Sequence, residues 1–205
     1  MSLELLAPLL DYPTADWHGR VMVARDAIED AGLPDVLPHL DRFRDAMALL
    51  SPAGREARHA ATFDLSRQCV PYVSIHLFGE ENFKRGALMA ALNARFAMIG
   101  FTTKGELPDH LAVLLRFAGV LEDGAEKSEL ALHLLVGPVG AMTTSLPATN
   151  PYRDLLAAIQ ATLSALFPVE VAAARSSSTA VTGACRSTDG ASCCHAPLEA
   201  EARHA

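Results

Sequence analysis

Apolar residues recur at spacings of three and four along most of this chain, and the strict alternation of a half-buried strand is almost absent. The pattern predicts helices. Thr14 is placed to cap one that runs to about Ala31, where Gly32, Leu33 and Pro34 end it. A second spans Asp35 to Leu50, with Val36, Leu37, Leu40, Phe43, Met47 and Leu50 near helical spacing. Ser51 and Pro52 restart the chain as cap and first-turn residue of a helix toward Arg67. Pro71 interrupts before Tyr72 to Phe78, and beyond Gly79 a long helix from about Glu81 to Met98 carries Phe83, Leu88, Met89, Leu92, Phe96 and Ile99. Gly100 closes it.

The segment Glu106-Leu107-Pro108-Asp109-His110-Leu111 then opens an apolar run through Leu114, Leu115 and Phe117. Proline is tolerated in a first helical turn and an aspartate there favours the positive end of the dipole, so a helix start is expected at this point. Leu107, Leu111, Leu114, Leu115, Ala118 and Leu121 would form one apolar face, with Asp109, His110 and Arg116 toward its flanks. Glu122-Asp123-Gly124 reads as a turn, and Ser128 as the cap of a helix that Gly137-Pro138 interrupts. Pro147 to Pro151 is a loop, and Tyr152 to Phe167 the last helix. The expectation is an all-α, single-domain bundle of about eight or nine helices over residues 1–174.

From about Ala172 the pattern stops. Ser, Thr, Ala, Gly and Cys dominate, with no apolar period to offset the entropy of ordering, so residues 175–205 are expected to be a disordered, low-complexity tail. Its three basic residues (Arg175, Arg186, Arg203) balance three acidic ones (Asp189, Glu199, Glu201), which leaves the whole net charge of −7 on the body.

That charge offers no footprint for nucleic acid and favours a basic partner. Half of the 205 residues are apolar, enough for a proper core, and the scarcity of aromatics beside abundant Ala and Leu favours helix over strand. The start, Met1-Ser2-Leu3-Glu4-Leu5, lacks a secretory pattern. The longest apolar stretch, near Leu130 to Met142, contains His133, Gly137 and Pro138 and is too short to span a bilayer, so a cytoplasmic protein without membrane insertion is expected.

Catalytic chemistry finds little support. Asp64, His76, Asp109 and His110 can be assembled on paper into a metal site, but there is no His-Glu-x-x-His, nucleophile elbow or phosphate-cradling loop. Cys193-Cys194-His195, with Cys185 upstream, holds soft ligands without zinc-finger spacing. No metal site is expected, although metal trafficking through the tail stands as an alternative. Arg85-Gly86 admits two accounts. Glycine would admit a neighbouring helix while Arg85 pairs with Asp64 or Asp109, or the pair lines a groove. A bundle can leave such a groove, and Tyr72, His76, Phe78, Asp109 and His110 have the mixed character of a rim around an apolar floor.

Four segments in order carry a resemblance: Thr62-Phe63-Asp64-Leu65, Tyr72-Val73-Ser74-Ile75-His76-Leu77-Phe78-Gly79, Arg85-Gly86-Ala87-Leu88-Met89 and Glu106 to Phe117. Together they resemble the NarJ family, the nitrate reductase delta subunit or molybdenum cofactor assembly chaperone, within the wider TorD/DmsD-like maturation chaperones. The likeness runs from about Leu5 to Leu166, with Ala112 where the family often has proline and Arg116 where it usually has glutamate. It implies a cytoplasmic, non-enzymatic chaperone that binds the N-terminal peptide of the apo catalytic (alpha) subunit of nitrate reductase. Such a chaperone assists molybdenum cofactor insertion before membrane docking, with molybdenum cofactor biosynthesis proteins as further partners and no cofactor held permanently. A trimethylamine N-oxide or dimethyl sulfoxide reductase is the alternative client. The residues this reading assigns to the peptide are Tyr72, His76, Phe78, Arg85, Leu107, Pro108, Asp109, His110, Leu111 and Leu114. Phe63, Asp64, Gly79 and Gly86 are assigned to the frame.

Overall fold

The computed structural model describes residues 3–64, 68–168 and 172. The tail from residue 175, with Cys185, Cys193, Cys194 and His195, lies outside the described residues, as do Leu65, Ser66 and Arg67.

Helix follows helix in chain order: α1 (Leu3–Leu6), continued by a 3₁₀ turn at Ala7–Leu9, α2 (Trp17–Asp30), α3 (Leu37–Ala48), α4 (Pro52–Phe63), α5 (Val73–Phe78) and α6 (Phe83–Met98). After these come α7 (Leu111–Val120), α8 (Gly124–Leu130), α9 (Val136–Ser145) and α10 (Pro151–Leu166). Because α8 and α9 run together through a π-helical stretch, Ala131–Leu135, the described residues form nine helical rods and no strand. The all-α single domain expected from the periodicity is what the chain adopts.

Capping chemistry sets one of the three starts where the sequence placed it. Ser51 accepts from the Gly54 amide at 3.1 Å with Pro52 behind it, an arrangement that contributes about 1 kcal/mol to a helix. Other starts differ. Thr14 does not cap α2; its hydroxyl bonds Asp16, and the helix begins at Trp17. Ser128 lies inside α8, whose cap is Asp123, accepting from the Ala125 amide at 2.8 Å. Nor do Gly137 and Pro138 break the rod. Proline has no N–H for the carbonyl one turn back and its ring crowds that carbonyl, and the widened π turn just before it accommodates both demands.

The largest revision concerns α7. It starts at Leu111 rather than near Leu107, and it is buried nearly all round: Leu111, Ala112, Val113, Leu114, Leu115, Phe117 and Ala118 are all in the core. A helix apolar on every side belongs at the centre of a domain, which is where α7 sits. Leu107, outside the helix, is 46% exposed. On one side α1 lies so close to α7 that a Cβ on Gly119 would stand 2.6 Å from Glu4 Cβ. On another, Phe96 and Phe101 meet edge-on and both tilt against Phe117, at centroid distances of 4.7 and 5.6 Å. A second cluster joins α2, α3, α4 and α10 through Trp17, Phe43, His59, Phe63 and Tyr152.

Candidate functional site

Pro108, Asp109 and His110 are not the first turn of a helix but the strand-like entry to one. The Val73 amide donates to the Asp109 carbonyl and the Leu111 amide to the Pro71 carbonyl, both at 2.9 Å, forming an antiparallel bridge between Tyr72 and His110. This short ladder joins the two most distinctive segments of the sequence. His110 then caps α7, its Nδ1 accepting from the Ala112 amide at 3.2 Å, and its ring meets Tyr72 edge-on at 5.5 Å.

Beneath the bridge is a buried polar triad. Asp109 is fully buried, Ser74 Oγ donates to its Oδ2, and Arg85 Nε donates to Ser74 Oγ at 2.8 Å. Arg85 also donates to the Glu80 carbonyl at 3.0 Å. The carboxylate partner of Arg85 is thus Asp109, not Asp64, and the serine between them was not singled out in the sequence. Gly86 does not admit a neighbouring helix: it is exposed, and nothing lies within 4 Å of where its Cβ would stand. Gly79 has a clear backbone reason, a φ of 83° at the end of α5.

The remaining assigned residues separate. His76 is half-buried and its Nε2 lies 2.8 Å from the Val70 carbonyl, holding the loop before α5. Phe78 and Tyr72 are half-buried, Pro108 is buried, and Leu111 and Leu114 are 1% and 0% exposed. Leu111 and Leu114 are core residues, not an open groove floor, and Asp109 is not on a rim.

What does open to solvent beside Tyr72 and His110 is a recess of about 270 Å³. Its walls include Tyr12, His59, Phe63, Tyr72 and His110, and its charged residues are Asp11, Asp64 and Glu106. Of these Asp11 is held by Arg116, the residue that stands where glutamate was expected. Asp64 and Glu106 are 57% and 51% exposed and lie near imidazoles, at 3.7 Å from His59 Nδ1 and 4.0 Å from His110 Nε2. Burial lowers the His110 pKa below its ordinary 6.5, Glu106 and Asp11 opposing and Arg116 adding to the shift. The sequence pointed to Phe63, Asp64, Tyr72 and His110 here but missed Asp11, Tyr12, His59 and Glu106, which come from three separate segments.

A larger cavity, about 650 Å³, lies between the end of α6 and the start of α8. Arg95 and Glu126 form a bidentate pair in its wall at 2.6 and 2.8 Å, and none of the assigned residues lines it. Among the described residues no group of three His, Cys, Asp or Glu side chains is placed to hold a metal ion. No described helix is long and apolar enough to cross a membrane.

An all-helical bundle with the bridged Tyr72 and Asp109-His110 segments is the setting for the comparison with known proteins. The profile of the nitrate reductase delta subunit family matches residues 29–164, and the chain belongs to that family. It is 28% identical over 135 residues to the probable nitrate reductase molybdenum cofactor assembly chaperone NarJ of Bacillus subtilis (strain 168), covering 65% of this chain and 73% of that protein.

Proposed function

We propose that this chain is an assembly chaperone of nitrate reductase. It binds the N-terminal peptide of the apo catalytic subunit in the cytoplasm, holds that subunit open for molybdenum cofactor insertion, and delays its docking at the membrane. The observation that carries this reading is family membership together with the likeness to the Bacillus subtilis chaperone. The chain performs no chemical step in this reading. The cofactor stays with the client, delivered with the help of molybdenum cofactor biosynthesis proteins.

The geometry supports a particular face. Tyr12 and Leu107 are 49% and 46% exposed; Tyr12 lines the recess with Tyr72 and His110, and the Leu107 carbonyl accepts from the His110 amide at 3.1 Å. Asp64 and Glu106 stand at the same face, so an amphipathic basic segment finds apolar contact and opposite charge together. Release follows from differential affinity: the chaperone binds the unfilled client more tightly than the mature one, so cofactor insertion and folding shift the equilibrium away from the complex.

Isothermal titration with a synthetic peptide covering the N-terminus of the catalytic subunit from the same organism tests this. Saturable one-to-one binding, lost when the peptide is scrambled, is expected. Absence of binding over a range of pH and salt overturns the peptide reading.

A further inference from the structure

Among the described residues every fixed charge lining the 270 Å³ recess is a carboxylate, and neither lysine nor arginine lines it. Arg116 engages Asp11, while Asp64 and Glu106 face only imidazoles among the described residues, His59 Nδ1 at 3.7 Å and His110 Nε2 at 4.0 Å. An acidic cluster alone signifies little, but the recess also contains an orphaned buried nitrogen. His59 is 7% exposed, and its Nε2 lies 3.1 Å from the Leu10 carbonyl, a geometry in which that nitrogen carries the proton. In the neutral ring Nδ1 is then a pure acceptor, and it is buried without a hydrogen-bond partner among the described residues. It faces Asp64 Oδ2 at 3.7 Å, too far for a hydrogen bond and the wrong pairing for one, since two acceptors do not bond. A buried acceptor left unpaired has lost its water without a replacement, so the site gains from any ligand that supplies a donor there.

We propose that this recess is a guanidinium subsite that takes one arginine side chain of the client segment. The proposal rests on the client reading above and names the chemistry of its partner. A guanidinium offers five N–H donors in a flat fork, which suits acceptors dispersed around a small space: His59 Nδ1 and the Asp64 and Glu106 carboxylates. Its plane also stacks on aromatic rings, and Tyr12 and Tyr72 line the recess. At about 270 Å³ the recess suits a single side chain, just below the roughly 300–1,000 Å³ of pockets that enclose most of a cofactor-sized ligand.

Two titrations of the full chain test the subsite separately from the client. In the first, N-acetylarginine methylamide is added while the His59 ring signals are followed by NMR, with the isosteric, uncharged citrulline compound and the lysine compound as controls. Saturable shifts with arginine, absent with citrulline, weaker with lysine and lost in the Asp64→Asn/Glu106→Gln variant, are expected. Both substitutions fall on exposed side chains, and circular dichroism confirms that the variant is folded. No response, or equal responses to arginine and citrulline, overturns the subsite, and an equal response to lysine overturns its guanidinium character. In the second, the client peptide is compared with versions in which single arginines become citrulline. One position is expected to lose roughly tenfold or more in affinity, about 1.4 kcal/mol. Full affinity at every position shows that the client does not use the recess and overturns the proposal while leaving the chaperone reading intact. A response to the arginine compound beside complete failure of the peptide has the opposite meaning: the recess binds guanidinium, and the client reading fails.

Discussion

Arg85 meets Asp109 through a third side chain. Its Nη2 stops 3.9 Å from Asp109 Oδ2, while Ser74 Oγ accepts from Arg85 Nε and donates to the same carboxyl oxygen. The serine thereby satisfies one oxygen of a carboxyl group with no exposure to water; the other, Oδ1, has no hydrogen-bond partner among the described residues. Ser74→Ala would leave Oδ2 without its hydroxyl donor. Denaturant unfolding is expected to show a loss of about 1–3 kcal/mol. A change indistinguishable from zero would mean that Arg85 closes onto Asp109 unaided.

The His110 cap couples α7 to pH. Burial lowers its pKa in the folded state, so below pH 6.5 the unfolded chain takes up a proton that the folded chain resists. Stability from this residue is complete above 6.5 and falls as pH drops through the folded value. Protonation would also end acceptance from the Ala112 amide. His39 is shifted in the same direction, by burial first and Arg42 second, so the test is a difference. His110→Asn keeps a capping acceptor and cannot titrate, and its stability should fall less steeply on acidification than that of the parent. Parallel curves would remove His110 as a source of the slope.

Gly119 marks the closest approach between α1 and α7. A methyl group there would stand 2.6 Å from Glu4 Cβ and 2.9 Å from Glu4 Cδ, and the Cβ cannot rotate away. Gly119→Ala gains about 1 kcal/mol of helix propensity, but overpacking costs typically 1–3 kcal/mol. Net destabilisation is expected, with faster hydrogen exchange in α1 because that short helix is the part able to shift. A stabilised variant would show that α1 gives way at no cost.

Much of this arrangement was legible because helix periodicity and caps are local. Ser51-Pro52, the Gly79 turn and the rods of α3, α4 and α10 follow from residues within one or two turns. The α7 start was misplaced because Pro108 and Asp109 suit a first helical turn as well as an extended entry, and only the partner strand-like segment at Tyr72 decides between them. The recess was half legible. Tyr72 and His110 stood in recognisable segments, whereas His59, Asp11 and Tyr12 reach it through the packing of α1, α2 and α4, which no local pattern encodes.

Cys69 is chemically quiet while the protein is folded. It is 1% exposed, and burial pushes its thiol up to about 11 against a smaller opposing pull from the Ser145 hydroxyl. Little thiolate exists at neutral pH, and the thiolate is the nucleophile. Peptide mass spectrometry after brief iodoacetamide treatment should find Cys69 unmodified in buffer and modified in urea. Modification in buffer would indicate that the loop between α4 and α5 opens readily.

Leu107 and Leu111 distinguish folding from binding at the proposed face. Both fall in the same segment, yet Leu111 is 1% exposed in the core and Leu107, next in sequence to the recess-lining Glu106, is 46% exposed. Leu111→Asp would bury a carboxylate among Val113, Leu114 and Leu115, and a charge without a partner there costs enough to unfold a domain whose stability is about 5–15 kcal/mol. Its loss of peptide binding would therefore report unfolding. Leu107→Ser removes apolar area at the surface without adding charge next to Glu106, and the fold should remain, within about 0.5 kcal/mol in denaturant. Weakened binding of the client peptide by this folded variant, read by calorimetry, is the expected result. Unchanged affinity would move the apolar side of the client away from the segment before α7.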